Sequence, residues 1–279
     1  MSPWWARLAR RDTLRVELRP SEVLLHGRSF AIARDPAFVP PADETEEPWR
    51  ADLDALAGAL KTAGPALGRV AVVLSDHYAR YLLLPWNQGL ITDLERMAFA
   101  RHAFREVYGA DAEEWSVCLD EQPAGQPFFA AAVDAGLVSG LRDIVSHLGG
   151  RLASLTPALA DCINRHRRVL IEPEFCLATV EAGRIGFVFR GRRGWSAVRS
   201  RRMEGGALPD VLPTLLKQEA VAGGVADGGL LYLCANGLGE LPPFTVPGWR
   251  LVRLSNEPRA PRSTRRADAS LLPQARLKA

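Results

Sequence analysis

Residues 175–201 read FCLATVEAGRIGFVFRGRRGWSAVRSR, and this stretch decides the fold. Two apolar runs, 175–180 and 184–189, flank the turn Glu181-Ala182-Gly183. A second Gly-bounded turn at 191–194 leads into a third run at 195–201. Apolar and aromatic residues between Gly-containing turns are typical of strands joined as hairpins. The stretch therefore predicts three strands that open the second half of the chain.

The first half of the chain follows the same order of elements. Its predicted elements are strands at 14–18, 22–25 and 28–33, a helix from Trp49, and a buried strand at 70–74. Trp49, Leu53, Leu56 and Leu60 have the spacing of one helical face. The second half continues with a helix at 213–220 and strands at 230–233 and 249–254. Because the order occurs twice, we expect an α/β protein of two related lobes.

A further segment lies between these two units. Thr92 and Glu95 form the pattern of a capping box, which predicts a helix from this point. Four apolar residues of that helix fall on one face: Leu94, Met97, Phe104 and Tyr108. Arg101 lies in the middle of this stripe, so it must snorkel, pair with a carboxylate, or meet a partner chain. The other predicted elements are strands at 80–86, 115–119, 128–133 and 151–155 and helices at 137–148 and from Pro157.

Composition restricts the class of protein. A chain of 279 residues with 47% hydrophobic residues can bury a substantial core. No run approaches the roughly 20 apolar residues that span a bilayer, and residues 1–12 lack a signal-peptide pattern, so we expect a cytoplasmic protein. The net charge of +3 and the even spread of arginine do not indicate nucleic-acid binding. The four cysteines lie far apart, which argues against a metal site or a disulfide framework.

The sequence lacks the common catalytic motifs. The string Gly136-Leu137-Val138-Ser139-Gly140 has the wrong spacing for a nucleophile elbow and lies in a predicted helix. Neither a Walker-type phosphate loop nor a dinucleotide-binding Gly-x-Gly-x-x-Gly is present. Asp76-His77 is the one adjacent acid–imidazole pair, and it fits either a catalytic pair or a polar turn at a strand end. We predict no catalytic and no metal-binding residues.

Two basic features remain. Six arginines lie on the predicted hairpin of the second half: Arg190, Arg192, Arg193, Arg199, Arg201 and Arg202. They fit either a site that attracts phosphate or an acidic membrane surface, or an exposed sheet edge that charge protects from aggregation. At the N-terminus, Trp4 and Trp5 stand beside arginines, a composition typical of membrane contact.

Residues 70–159 carry short motifs in a fixed order. In this chain they are Val72-Val73-Leu74-Ser75-Asp76, Arg80-Tyr81-Leu82-Leu83-Leu84-Pro85-Trp86, Glu95, Arg101-His102-x-Phe104, Tyr108-Gly109, Trp115, Ala131-Ala132-Val133-Asp134, Leu137 and Ser154-Leu155-x-Pro157. The segment resembles the PilM, GspL and MshI family of type IV pilus and type II secretion assembly proteins. The resemblance implies an actin-like (ribonuclease H-like, duplicated) fold of two lobes with a subdomain inserted in the first lobe.

The repeated order of elements sets the expected boundary between the lobes, the resemblance adds the inserted subdomain, and composition predicts the tail. The first lobe covers residues 1–168 and includes an inserted subdomain at about 78–134. The second lobe covers residues 169–256, and residues 257–279 form a disordered basic tail.

The resemblance implies a comparison with actin-like ATPases, which hold phosphates between two hairpin turns that have an Asp-x-Gly type sequence. Here the first turn is Leu18-Arg19-Pro20-Ser21 and the second is Glu181-Ala182-Gly183-Arg184, and neither contains aspartate. A vestigial adenosine turn is suggested by Asn236, Gly237 and Gly239. We therefore expect no cofactor, no ATP hydrolysis and at most weak ATP binding.

The main hypothesis is a non-catalytic cytoplasmic scaffold that is peripheral to the inner membrane through its partner. The resemblance implies a PilN-like or GspM-like inner-membrane partner, and we predict Tyr81, Pro85, Trp86 and Arg101 as contacts for its cytoplasmic tail. The alternative is a residual ATP-binding phosphotransferase or ATPase on the same fold. A weaker third hypothesis is an arginine-rich nucleic-acid binder.

Overall fold

The computed structural model describes residues 13–20, 22–26, 30–33, 49–62, 67–120, 122–203, 205–235, 238 and 241–255. Three predicted features lie outside these ranges: the N-terminal tryptophans, the turn at Asn236, Gly237 and Gly239, and the tail 257–279. No described helix is long and apolar enough to cross a membrane.

The described residues form thirteen strands and five α-helices. The strands are β1 (Thr13–Arg19), β2 (Glu22–His26), β3 (Phe30–Ala33), β4 (Arg69–Leu74), β5 (Ala79–Leu84), β6 (Trp115–Leu119), β7 (Phe128–Asp134), β8 (Arg151–Pro157), β9 (Phe175–Glu181), β10 (Arg184–Gly191), β11 (Gly194–Arg202), β12 (Gly229–Ala235) and β13 (Trp249–Arg253). The helices are α1 (Arg50–Thr62), α2 (Asp93–Tyr108), α3 (Ala135–His147), α4 (Ala158–His166) and α5 (Leu208–Ala222).

The first lobe is built on a five-stranded sheet in the order β3-β2-β1-β4-β8. β1 and β2 form an antiparallel hairpin, whereas β4 and β8 run parallel to β1. α1 and α3 bury leucines such as Leu56 and Leu141 in one core with this sheet. A Cβ added at Gly140 would lie 2.4 Å from Leu53 Cδ1, so the missing side chain allows the two helices to pack closely.

A smaller sheet in the order β5-β7-β6 forms the inserted part of the first lobe. α2 packs on it and begins at the predicted capping box, in which Glu95 N donates to Thr92 Oγ1 at 3.2 Å and Thr92 N donates to Glu95 Oε2 at 2.8 Å. The predicted apolar face of α2 was confirmed at Phe104 and wrong at Leu94. Ala100 and Phe104 are buried, whereas Leu94 is 80% exposed and Arg101 is exposed. Arg101 needs no buried partner, because its own side chain is exposed.

The second lobe repeats the arrangement of the first with a sheet in the order β11-β10-β9-β12-β13. β9, β10 and β11 are consecutive antiparallel strands, and β12 and β13 run parallel to β9. α5 begins at Leu208, five residues before the predicted start, and contains Pro213 within it. All four cysteines are buried, and none of them forms a disulfide within the described part of the chain.

The lobes meet through apolar contacts as well as polar ones. Tyr81, Leu83 and Phe129 of the inserted sheet pack against a core cluster that includes Trp195 and Val198 of β11. The rings of Phe129 and Trp195 lie 5.2 Å apart in an edge-to-face arrangement, which is a favourable geometry for aromatic pairs. The inserted sheet is therefore fixed against the second lobe.

Candidate functional site

The turn of the first hairpin is held by its own side chains. Arg19 pairs with Glu17 at 2.7 Å and with Glu22 at 2.9 Å. Pro20 removes one backbone N–H from the turn. The guanidinium therefore binds protein carboxylates at the position where an actin-like ATPase would present donors to a phosphate.

The turn of the second hairpin places a carboxylate between the lobes. Gly183 takes φ 72°, a left-handed conformation that glycine adopts without strain, so the chain reverses directly after Glu181. Ser75 Oγ donates to Glu181 Oε2 at 2.5 Å, and the Asp76 backbone N–H donates to the same oxygen at 3.0 Å. Glu181 thus ties the end of β9 to the end of β4.

Asp76 completes these contacts from the first lobe. Its Oδ1 accepts hydrogen bonds from the Tyr81 hydroxyl and from Leu159 N at 3.1 Å, and Thr179 Oγ1 donates to its Oδ2 at 3.5 Å. Asp76 is 3% exposed and Glu181 is 4% exposed. We call Ser75, Asp76, Thr179 and Glu181 the lobe junction.

Burial changes the ionisation of the two carboxyl groups of the lobe junction. Removal from water, followed by the proximity of Asp76, raises the pKa of Glu181 to about 8. Burial also raises the pKa of Asp76. Two adjacent buried carboxyl groups disfavour double ionisation, so the pair retains a proton at neutral pH. Hydrogen bonds then stabilise the lobe junction, and the two carboxyl groups do not both carry a negative charge.

Ion pairs occupy the floor of the cleft. Arg15 donates to both carboxylate oxygens of Asp161, at 2.9 and 2.8 Å, and Arg165 pairs with the same group. Burial opposes ionisation of Asp161, but the two arginines outweigh it and lower its pKa. The cavity between the described parts of the two turns measures about 10 Å³, and Glu17, Arg19, Ser75, Asp161, Arg165 and Glu181 line it. That is room for about one water molecule, not for a nucleotide.

Asp76 and His77 do not act as a pair. The carboxylate of Asp76 faces Tyr81 and Leu159, whereas His77 Nε2 lies 2.9 Å from the Ala182 carbonyl oxygen. Adjacent side chains at a strand end point in different directions, and this separates the two groups. Within the described ranges, no three His, Cys, Asp or Glu side chains group as metal ligands.

The structure separates the four residues predicted to contact a partner. Tyr81 points into the contact between the lobes, where it donates to Asp76. Pro85 and Trp86 follow the end of β5 and are exposed, and Arg101 is exposed on α2. Tyr81 instead lines an apolar groove of about 40 Å³ with Phe129, Ile163 and Trp195. The other lining residues are Cys118, Asp120, Ala131, Leu159, Ala160 and Asn164.

Sequence reasoning missed the roles of Ser75, Thr179 and Glu181. Ser75 and Glu181 are 106 positions apart, so no local pattern joins them. The one available signal was the pair of polar residues Ser75-Asp76 directly after a buried strand.

Two hairpin-led sheets that face each other across a cleft, with a third sheet inserted in the first lobe, define an actin-like protein. Comparison with solved structures confirms the predicted fold. The "PilM-PilN type IV pilus biogenesis complex" matches with a TM-score of 0.57 and 16% identity, over 82% of this chain and 82% of that chain. A Bacteroides thetaiotaomicron protein described as having an actin-like ATPase fold and unknown function matches with a TM-score of 0.53 and 11% identity, over 86% and 87%.

The cytoplasmic domain of EpsL, an inner-membrane component of the Vibrio cholerae type II secretion system, aligns with a TM-score of 0.49 and 12% identity, over 87% and 89%. No protein-family model and no curated protein sequence matches this chain.

Proposed function

We propose that the protein is a non-catalytic scaffold of a type IV pilus or type II secretion assembly. In this proposal it binds the cytoplasmic tail of a PilN-like or GspM-like inner-membrane protein and is peripheral to the membrane through that partner. One observation carries the proposal: in a chain with the fold of the PilM–PilN structure, the cleft between the hairpin turns is filled by the protein's own ion pairs and hydrogen bonds.

The chemistry of the cleft favours a role without catalysis. Magnesium with a nucleotide requires ionised carboxylates and open coordination positions. Glu181, whose pKa is raised to about 8, instead retains a proton at neutral pH, and Glu181 and Asp76 accept hydrogen bonds within the lobe junction. Arg15 and Arg165 neutralise Asp161. Glu181 Oε2 and both oxygens of Asp76 and Asp161 accept hydrogen bonds from the protein, so we infer that the protein does not hydrolyse ATP.

The apolar groove beside the inserted sheet is the docking site that we propose for the partner tail. β6 is an edge strand of the three-stranded sheet, so its outer backbone groups have no strand partner in the described part of the chain. Cys118 of β6 and Asn164 of α4 both line the groove. An extended peptide can add a strand to such an edge and place apolar side chains against Phe129 and Ile163.

The predicted contacts Tyr81, Pro85, Trp86 and Arg101 fit this proposal in different ways. Tyr81 forms a wall of the groove. Trp86 is 37% exposed, and Arg101 presents its guanidinium to solvent on α2. Tryptophan and arginine are the residue types that most often dominate interfaces. We therefore retain Pro85, Trp86 and Arg101 as proposed contacts outside the groove.

A peptide titration tests this function. A fluorescently labelled peptide with the cytoplasmic N-terminus of a PilN-like protein from the same genome is titrated into wild type, Asn164→Arg, Arg101→Ala and Ile171→Arg. Asn164→Arg places a charge in the groove and is expected to weaken binding at least tenfold. Ile171, which is 74% exposed and does not line the groove, supplies the matched control and should bind as wild type does.

Circular dichroism checks that each variant folds. Absence of binding to wild type would remove the scaffold function as framed. Wild-type binding by Asn164→Arg with loss in Arg101→Ala would move the docking site to the exposed face of α2. Radiolabelled ATP with magnesium, added in a separate assay, is expected to give no turnover, and measurable turnover would support the alternative ATPase function.

A further inference from the structure

Three arginines from different strands converge beside the lobe junction. Arg184 and Arg202 are directly opposite each other in the antiparallel pairing of β10 with β11. Arg80, at the start of β5, donates to the carbonyl oxygens of His77 and Ala79, at 3.0 Å each. His77 contacts Ala182 in the turn between β9 and β10, which brings Arg80 to the same end of the second sheet. We call Arg80, Arg184 and Arg202 the arginine cluster.

The arginine cluster lacks carboxylate partners. No ion pair joins any of its three members to another residue in the described part of the chain. Arg184 Nη1 donates to Ser200 Oγ at 2.9 Å, but its buried Nε has no hydrogen-bond acceptor among the described atoms. The nearby carboxyl groups of Asp76 and Glu181 already accept hydrogen bonds within the lobe junction. Arg184 Nε and the donors of the cluster that do not contact Ser200, His77 or Ala79 are therefore available to a ligand.

Other arginines of the same hairpin differ from the arginine cluster because they have partners. Arg192 pairs with Glu174 at 3.3 Å, and Arg201 pairs with the buried Glu219 at 2.5 Å. Arg190 lies over the ring of Trp195 at 5.4 Å. Of the two interpretations left open by the sequence, charge protection of an edge accounts for these arginines. It does not account for Arg202, which faces Arg184 and Arg80.

The electrostatics of the cluster point in the same direction. Burial lowers the pKa of Arg184, and the charges of Arg80 and Arg202 lower it further. The carboxyl groups of Asp76 and Glu181 act in the opposite direction but do not reverse the shift. Burial lowers the pKa of His77, and the charges of the three arginines of the cluster lower it further. Partly buried like charges repel each other unless a counter-charge is present. A bound anion would relieve this repulsion and satisfy Arg184 Nε.

We propose that the arginine cluster binds a tetrahedral oxyanion, a phosphate or sulfate group, which bridges the inserted sheet and the second lobe. Guanidinium groups bind such oxyanions with paired N–H donors, and three of them supply enough charge for a phosphate dianion. The three arginines do not line the cavity between the hairpin turns, although Arg184 belongs to the second turn. The inference does not depend on the proposed scaffold function.

The test measures binding of inorganic phosphate by isothermal titration calorimetry and by thermal unfolding, against sodium chloride at equal ionic strength. Wild type, Arg184→Gln, Arg202→Gln and Arg192→Gln are compared, and circular dichroism checks their folding. Loss of one charge-assisted hydrogen bond corresponds to a rise in Kd of about tenfold or more. Arg184→Gln and Arg202→Gln should therefore weaken phosphate binding at least tenfold, while the exposed Arg192→Gln should bind as wild type does.

A second arm identifies the source of the oxyanion. Sedimentation with phosphatidylglycerol vesicles, compared with phosphatidylcholine vesicles, tests a lipid headgroup. Arg184-dependent sedimentation with the anionic vesicles alone assigns the site to a headgroup, and calorimetric binding without sedimentation assigns it to a free phosphate group. If wild type binds neither phosphate nor anionic vesicles beyond the chloride control, or if all four proteins bind equally, the proposal is overturned.

Discussion

Replacement of Glu181 by glutamine should make the protein more stable at alkaline pH. The folded protein raises the pKa of Glu181 from an ordinary value of 4.5 to about 8, first through burial and then through Asp76. Between these two values the folded state binds a proton that the unfolded state has lost. Wild-type stability is therefore greatest below pH 4.5 as far as this group is concerned, falls as the pH rises towards 8, and levels off above it.

The size of this effect follows from the same two values. One pKa unit corresponds to about 1.4 kcal/mol. Wild type therefore loses at most about 5 kcal/mol of unfolding free energy as the pH rises from 4.5 to 8. Glutamine has nearly the same shape, does not titrate, and keeps a carbonyl oxygen that can accept from Ser75 Oγ and Asp76 N. We expect Glu181→Gln to gain a few kcal/mol relative to wild type on going from pH 6 to pH 9.

Urea unfolding followed by circular dichroism at pH 6, 7, 8 and 9, at constant ionic strength, measures the effect. Glu174→Gln, an exposed substitution in the same lobe, serves as the control and should keep the wild-type slope. If the free energy of unfolding changed with pH in parallel for wild type and Glu181→Gln, the proton retained by Glu181 at the lobe junction would be refuted. A Glu181→Gln variant that is less stable than wild type by the same amount at every pH would also refute it.

The remaining predictions concern the inserted part of the first lobe. Thr92→Ala removes the helix cap of α2 and should cost about 1 kcal/mol in urea unfolding, most of which Thr92→Ser should restore. Phe104→Ala empties a fully buried site beside the rings of Tyr108 and Trp115 and should cost about 3–5 kcal/mol. Leu94→Ala, on the exposed side of the same helix, should change stability by less than about 0.5 kcal/mol, and a larger loss would mean that Leu94 is packed.

Local patterns were sufficient to predict much of the fold. The capping box at Thr92 and Glu95 was confirmed because both of its hydrogen bonds form within one turn of chain. The hairpin turn at Glu181-Ala182-Gly183 was confirmed for a similar reason, since Gly183 alone supplies the required conformation. Features of this kind depend on residues close together in the sequence, so the sequence predicts them.

Features that depend on distant packing were not predictable. The spacing of Leu94 and Phe104 is helical, but only the narrow sheet beneath α2 decides that Ala100 lies at the centre of the buried face. The lobe junction depends on residues more than 100 positions apart, and no periodicity links them. The arginine cluster was partly visible as basic residues on a hairpin, but Arg80 comes from another lobe and was not joined to them.

The residues that tie the lobes together are made at different times. At about 5–20 residues per second, a ribosome adds Glu181 roughly 5–20 s after Ser75. Asp76 lacks its hydrogen bond from Thr179 until Thr179 is added, and Phe129 lacks its ring contact until Trp195 is added. Until then a polar group and an aromatic face of the first lobe stay uncovered. A nascent chain that stalls before the second hairpin therefore exposes the surface that the second lobe normally covers. Such a chain is prone to aggregate until the second lobe is synthesised.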